Sequence, residues 1–172
     1  MMHGVTIRNA LVTDAEAICT IYNHEVEHET STFDLVPRSL QAQRDWIQAR
    51  SGAFSALVAV DESGEVVGFG ALSEYRDRAA YSTTVENSVY VRRDKSRRGI
   101  GKALLTALLD QAEASGFHSV MARIEASGTA SRALHESCGY QLVGIEREVG
   151  RKFGRWMSVA LMQCLLQERG VN

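Results

Sequence analysis

Thr84-Val85-Glu86-Asn87-Ser88-Val89-Tyr90-Val91-Arg92-Arg93-Asp94-Lys95-Ser96-Arg97-Arg98-Gly99-Ile100-Gly101-Lys102-Ala103-Leu104-Leu105 reads as a strand, a basic turn and a helix. Val85, Val89, Tyr90 and Val91 favour a strand. Its alternation sets Val85, Asn87, Val89 and Val91 on one face and Glu86, Ser88 and Tyr90 on the other. Beyond the turn, Ile100, Ala103, Leu104, Ala107, Leu108 and Ala112 recur at helical spacing, which predicts an amphipathic helix running to about Gly116.

Gly99 and Gly101 let a ligand approach the backbone closely. The unpaired amides of the first helical turn, with the helix dipole, favour an anion there. Arg97, Arg98 and Lys102 add positive charge, so the turn suits a diphosphate held without a metal. It is not a Walker loop, because one residue separates the glycines and Lys102-Ala103 follows; nor is it a dinucleotide fingerprint, because Leu104 stands where a third glycine belongs. A solvated basic loop gives the same local pattern. An acidic residue, Glu86, inside an apolar strand that leads straight into the turn is harder to explain by packing alone.

These residues resemble the GNAT superfamily of acyl-CoA-dependent N-acyltransferases. Its diphosphate motif, Gln/Arg-x-x-Gly-x-Gly/Ala, is matched by Ser96-Arg97-Arg98-Gly99-Ile100-Gly101 except at the first position. More narrowly, Thr84 to Val91, Leu134-His135-Glu136 with Gly139-Tyr140, and Lys152-Phe153-Gly154-Arg155-Trp156 resemble the phosphinothricin acetyltransferase branch, which includes methionine sulfoximine acetyltransferases. Motifs in three separated stretches, in the right order, extend the resemblance over nearly the whole chain.

The 172 residues suit one domain spanning 1–172. A net charge of -2 gives no reason to expect a nucleic acid or an anionic membrane as partner. No apolar run approaches a membrane span, and Met1-Met2-His3-Gly4 leads into a strand rather than a signal peptide, so a cytoplasmic protein is expected. Cys19, Cys138 and Cys164 form no CxxC and read as free structural thiols.

Val5 to Arg8 is a first strand. Thr13-Asp14-Ala15-Glu16 offers a capped start for a helix carrying Ile18, Ile21, Tyr22 and Val26, and Ser39 caps a second helix over 40–50. The first helix contains His24-Glu25-Val26-Glu27-His28, a literal HExxH. A zinc protease needs a third ligand, and Ser31 breaks the extended pattern, so no metal site is assigned and the segment is expected to line a cleft mouth. Phe33, in the loop over 30–37, reads as an anchor or as a substrate wall.

Ala56 to Val60 and Val66 to Ser73 flank Asp61-Glu62-Ser63-Gly64 as a hairpin. The polar connection from Glu74 to Tyr81 carries Arg76 and Arg78, whose guanidinium groups can grip a carboxylate or simply face water. Ser119 to Glu125 is a strand, Thr129 to Ser137 a short helix, and Tyr140 to Glu148 with Arg155 to Leu165 a closing antiparallel pair. The order argues an α/β (α+β) architecture, a mixed and mainly antiparallel sheet flanked by helices.

The resemblance implies acetyl transfer from acetyl-CoA to a primary amine. Glu86 is the implied base, acting directly or through water, with its pKa raised by partial burial. Backbone groups of Val89 and Val91 would hold the pantetheine arm and stabilise charge on the thioester oxygen. Arg97, Arg98, Gly99, Ile100, Gly101 and Lys102 would take the diphosphate. His135 stands where many superfamily members carry a tyrosine beside the departing sulfur; it donates a proton, orients the carbonyl, or packs. Phe33, Arg76, Arg78, Tyr81, Thr84 and Val85 would bind an acceptor bearing a carboxylate.

Ser96 and Gly128 depart from the pattern, replacing the usual Gln or Arg and an asparagine that often touches the pantetheine; Arg97 and Ser131 can compensate. Homodimers are common in the branch, with the loop matching Lys152 to Trp156 near the partner's site. Two other functions stay compatible with the sequence: a CoA-binding regulatory module without turnover, and an acetyltransferase for protein N-termini or lysines.

Overall fold

The structure, a computed structural model, describes residues 4–169. Met1 to His3, expected to lead into the first strand, lie outside the described residues. In chain order the regular elements are β1 (Thr6–Asn9), α1 (Ala15–His28), α2 (Leu40–Gln48), β2 (Leu57–Val60), β3 (Val66–Glu74), β4 (Thr84–Val91), α3 (Ile100–Ala114), β5 (Ser119–Glu125), α4 (Thr129–Glu136), β6 (Gln141–Lys152) and β7 (Arg155–Leu165). They form a seven-stranded sheet of order β1-β2-β3-β4-β5-β7-β6. Every neighbouring pair is antiparallel except β4 with β5. The mixed, mainly antiparallel sheet flanked by helices is the architecture expected.

The two faces of the sheet carry separate cores. Under α3, Leu104, Leu105, Leu108 and Leu109 pack on Val67, Val85, Val120 and Ala122, all 1% exposed or less. Burial of each leucine contributes roughly 1.5–3 kcal/mol. On the other face Ile18, Tyr22 and Val26 of α1 pack with Ile47 of α2 on Val58 and Phe69. Tyr90 of β4 stacks on Phe69 at 5.3 Å and meets Tyr22 edge-on at 5.3 Å, so the Glu86, Ser88, Tyr90 face of β4 looks toward α1.

Three local expectations need correction. Thr13 does not open α1: a 3-10 turn over Val12–Asp14 precedes it, and the Asp14 carboxylate accepts from the Leu11 amide at 2.7 Å and from Arg8 at 2.7 Å. That ion pair and amide keep the Asp14 carboxyl below the usual carboxylate range. The second helix stops at Gln48 rather than Arg50, while Ser39 caps it as expected, accepting from the Ala42 amide. Strand β6 runs to Lys152 rather than Glu148. Register shifts between Leu142 and Gly144 and between Glu146 and Gly150, with Glu148 at φ 52°, break the alternation from which a strand is read.

Candidate active site

Strands β4 and β5 pair only from Thr84↔Ser119 to Glu86↔Met121. Beyond Glu86 they no longer pair, although β4 continues to Val91 and β5 to Glu125. The facing backbone groups of both arms are therefore free for a ligand that pairs as a strand would. A cavity of about 370 Å³ fills this fork, lined by Asn87 to Tyr90 from one arm, Ala122 to Glu125 from the other, and Glu86 at the crotch. Alternation gives it two sides. Glu86, Ser88 and Arg123 face the α1 side, closed by Glu29, Thr30 and Ser31; Asn87, Val89, Ser131 and His135 face α4.

Glu86 is half-buried, and burial raises its carboxyl pKa while the nearby charge of Arg123 opposes the rise. On the α4 side a buried polar chain is closed at both ends. His135 Nδ1 lies 2.8 Å from the Ser131 carbonyl oxygen, which only accepts, so the imidazole proton sits on Nδ1. Nε2 then accepts from the Asn87 amide at 3.1 Å, and Asn87 Oδ1 accepts from the Tyr140 hydroxyl at 2.7 Å. Burial lowers the His135 pKa, so the neutral ring is favoured. With Nε2 occupied as an acceptor and the only proton directed at a helix carbonyl, His135 orients Asn87. Proton donation, one of the roles open to it from sequence, does not fit this arrangement.

At the basic turn, Gly99 holds φ 80° as the N-cap of α3, and a Cβ added there would meet nothing within 4 Å. At Gly101 a Cβ would come within 3.0 Å of the Leu134 side chain, so this glycine sets the approach of α3 to α4. The turn's cations divide into two sets. Arg92 pairs with Asp94 and Glu65, Arg93 with Glu25 and Glu29, and Lys95 with Asp61, which pins the turn to α1 and to the β2–β3 hairpin. Arg97, Arg98 and Lys102 have no ion pair among the described residues, and free helix amides lie beside them. That set fits a diphosphate. Arg97 adopts φ 62°, a left-handed backbone unusual outside glycine.

Not every residue expected to bind substrate or cofactor reaches the fork. Arg76, Arg78, Tyr81, Thr84 and Val85 line a second cavity of about 280 Å³ at the start of β4. There the Arg76 guanidinium lies 5.0 Å from the Tyr75 ring centroid and 5.5 Å from that of Tyr81. The Val85 and Ile100 side chains belong to the core under α3, so a ligand meets Ile100 only through its backbone. Val91 lies past the fork, where an added Gly101 Cβ would be 3.7 Å away. Phe33 lines neither cavity; its ring covers Gly150, where a Cβ would meet it at 2.5 Å. Gly128 has φ -72° and caps α4, so no backbone conformation demands glycine there.

The HExxH segment has a mechanical use. Glu25 is buried, accepts two hydrogen bonds from Arg93 at 2.8 and 2.6 Å, and accepts a third from Ser31. His24 and Glu25 line a separate hollow with Arg93 rather than the fork. Among the described residues no group of three His, Cys, Asp or Glu is placed to hold a metal ion. Lys152, 3% exposed, donates to the carbonyl oxygens of Glu25 and Thr32 at 3.2 and 2.8 Å, tying the end of β6 to the loop after α1. Asn87, Tyr140 and Lys152 belong to the motifs that carry the resemblance, but the sequence assigns no individual role to them or to Arg123. The available signal was a polar residue inside an apolar strand, as at Glu86; Asn87 on the valine face and Arg123 within Ser119–Glu125 both carry it.

Comparison with known proteins fits this geometry. Residues 7–160 match the family described as Acetyltransferase (GNAT) domain. The chain belongs to the GNAT acetyltransferase family. This acetyltransferase is 39% identical over 164 residues to the L-methionine sulfoximine/L-methionine sulfone acetyltransferase of Pseudomonas paraeruginosa, covering 95% of each chain. It is 38% identical to the phosphinothricin N-acetyltransferase of Streptomyces coelicolor, covering 91% of this chain and 93% of that one. Among solved structures, a phosphinothricin acetyltransferase from Sinorhizobium meliloti in complex with acetyl-CoA is similar at TM-score 0.89 and 35% identity, over 100% of this chain and 92% of that one.

Proposed function

We propose that this acetyltransferase, acting as one domain over 1–172, transfers the acetyl group of acetyl-CoA to the amine of a small amino-acid-like acceptor of the methionine sulfone, methionine sulfoximine or phosphinothricin type. The observation that carries the reading is the position of Glu86, half-buried at the crotch where β4 and β5 stop pairing. An acceptor amine is protonated at neutral pH and attacks only after losing a proton. A carboxylate whose proton affinity is raised by burial removes it, directly or through a water.

Acetyl-CoA supplies the activated acyl group. Arg97, Arg98, Lys102 and the first amides of α3 hold its diphosphate, and the Val89 backbone aligns the thioester arm. The Asn87 amide, fixed by His135 and Tyr140, presents a stationary dipole on the side where the thiolate leaves. The thiol has a pKa near 8.5, so its departure needs little acid assistance. Arg76 and Arg78 line the neighbouring cavity at the start of β4, which Thr84 also lines; they take the carboxylate of an acceptor that extends from there to Glu86.

The enzyme works as a cytoplasmic homodimer without nucleic-acid or membrane partners. Support for the dimer comes from the β6–β7 edge, where Val143, Val149, Phe153 and Trp156 are 52–62% exposed. No helix among the described residues is long and apolar enough to cross a membrane.

The test is release of free CoA thiol on mixing the protein with acetyl-CoA and each of the three acceptors. Saturable release is expected. None with any acceptor, at enzyme concentrations near those of substrate, overturns the reading.

A further inference from the structure

Arg123 has no part in the chemistry above, yet it faces the same cavity as Glu86 from the opposite arm of the fork. It lies on β5 two residues past Met121, the last residue paired with β4. Val120, Ala122 and Ile124 point into the core under α3, so alternation turns Arg123 to the Glu86 side. Proximity is electrostatic as well as topological, since the Arg123 charge lowers the proton affinity of Glu86 against the effect of burial.

Its guanidinium retains donors for a ligand. One ion pair, to Glu146 of β6 at 3.0 Å, steadies it, with the two side chains 40% and 35% exposed. The other arginine of the cavity, Arg93, is held by Glu25 and Glu29 through Nε and Nη2. A guanidinium offers five N–H donors in a planar fork that matches the spacing of oxygens on an acid.

Along the strand direction three stations follow one another. Thr84 stands beside Arg76 and Arg78, Glu86 comes two residues on, and Arg123 sits a further two residues along the parallel neighbour, at roughly 6.6 Å per step. An amino acid presents its groups in the same order: carboxylate, then amine, then side chain. Resting on the reading that Arg76 and Arg78 hold the carboxylate and Glu86 receives the amine proton, we propose that Arg123 is a specificity-determining residue that binds a second oxyanion on the acceptor's side chain. It favours a phosphinate-type acid over a neutral sulfone.

Steady-state kinetics of wild type, Arg123→Gln and Arg123→Lys with phosphinothricin and with methionine sulfone test this. Arg123→Gln should raise KM for phosphinothricin about tenfold or more, with kcat changed less than about threefold. The KM for methionine sulfone should stay within about twofold, and Arg123→Lys should recover part of the loss. Equal changes for both acceptors, no change for either, or a wild type that accepts the sulfone but not phosphinothricin would overturn the assignment of Arg123 alone. A wild type that releases no thiol with either acceptor would overturn the acyl-transfer reading, and this assignment with it.

Discussion

Nδ2 of Asn87 and Nε2 of His135 stand 3.1 Å apart in a buried pair, and the partner on the far side of the ring, the Ser131 carbonyl, leaves Nε2 as the acceptor. His135 is therefore a positioning residue. His135→Ala leaves the Asn87 amide without that partner and should cost about 1–3 kcal/mol in urea unfolding. Turnover should fall, but the shape of the kcat–pH profile between about pH 6 and 8 should match that of wild type. Loss of a limb in that range from the variant would identify His135 as a proton donor instead.

Glu86→Gln should lower kcat by about 10²–10⁴-fold at neutral pH and leave acetyl-CoA binding nearly unchanged by calorimetry. In wild type, activity should fall as pH drops through the raised pKa of Glu86. Stability runs in the opposite direction. A carboxyl whose folded pKa exceeds its unfolded value binds more protons when folded, so its contribution is lost as pH rises through that window. Glu86→Gln should therefore raise Tm at pH 8 and raise it less at pH 4. A Tm gain independent of pH would place the cause elsewhere.

Arg97 keeps a left-handed backbone at φ 62° in the basic turn, which costs a non-glycine residue roughly 1–2 kcal/mol. Arg97→Gly should stabilise the fold by up to about that amount and raise the KM for acetyl-CoA several-fold. Added salt should raise the wild-type KM more steeply than that of the variant. A variant that binds acetyl-CoA as tightly as wild type would remove Arg97 from the diphosphate set.

Val149→Asp puts a charge on the exposed edge of β6, where Val149 is 52% exposed. The fold should keep its stability to within about 0.5 kcal/mol. Light scattering after gel filtration should show a wild-type dimer and a monomeric variant. A dimeric variant would place the contact on another surface.

The strand-turn-helix of Thr84 to Leu105 was legible because its alternation, paired glycines and helical spacing each follow from local chemistry. Glu86 stood out for the same reason, as a charge among valines. The fork was not legible. It depends on where pairing between β4 and β5 stops, a relation between residues about 35 positions apart. The separation of Arg76 and Arg78 from Glu86 into two cavities was equally hidden, as was the closure of Asn87, His135 and Tyr140 into one chain. The end of β6 was missed because its bulges destroy the period that marks a strand.

One ammonium group adds a polar tie between two regions far apart in sequence. Lys152 sits where the closing hairpin turns back on itself, and it clasps the main chain at Glu25 and Thr32 beneath the rim of the acceptor cleft. A neighbouring subunit seated on that hairpin would hold the rim of this subunit's cleft still as well. Diluting the enzyme until its subunits separate should then loosen its grip on the amine while its hold on the nucleotide end of acetyl-CoA, at the far turn, stays the same.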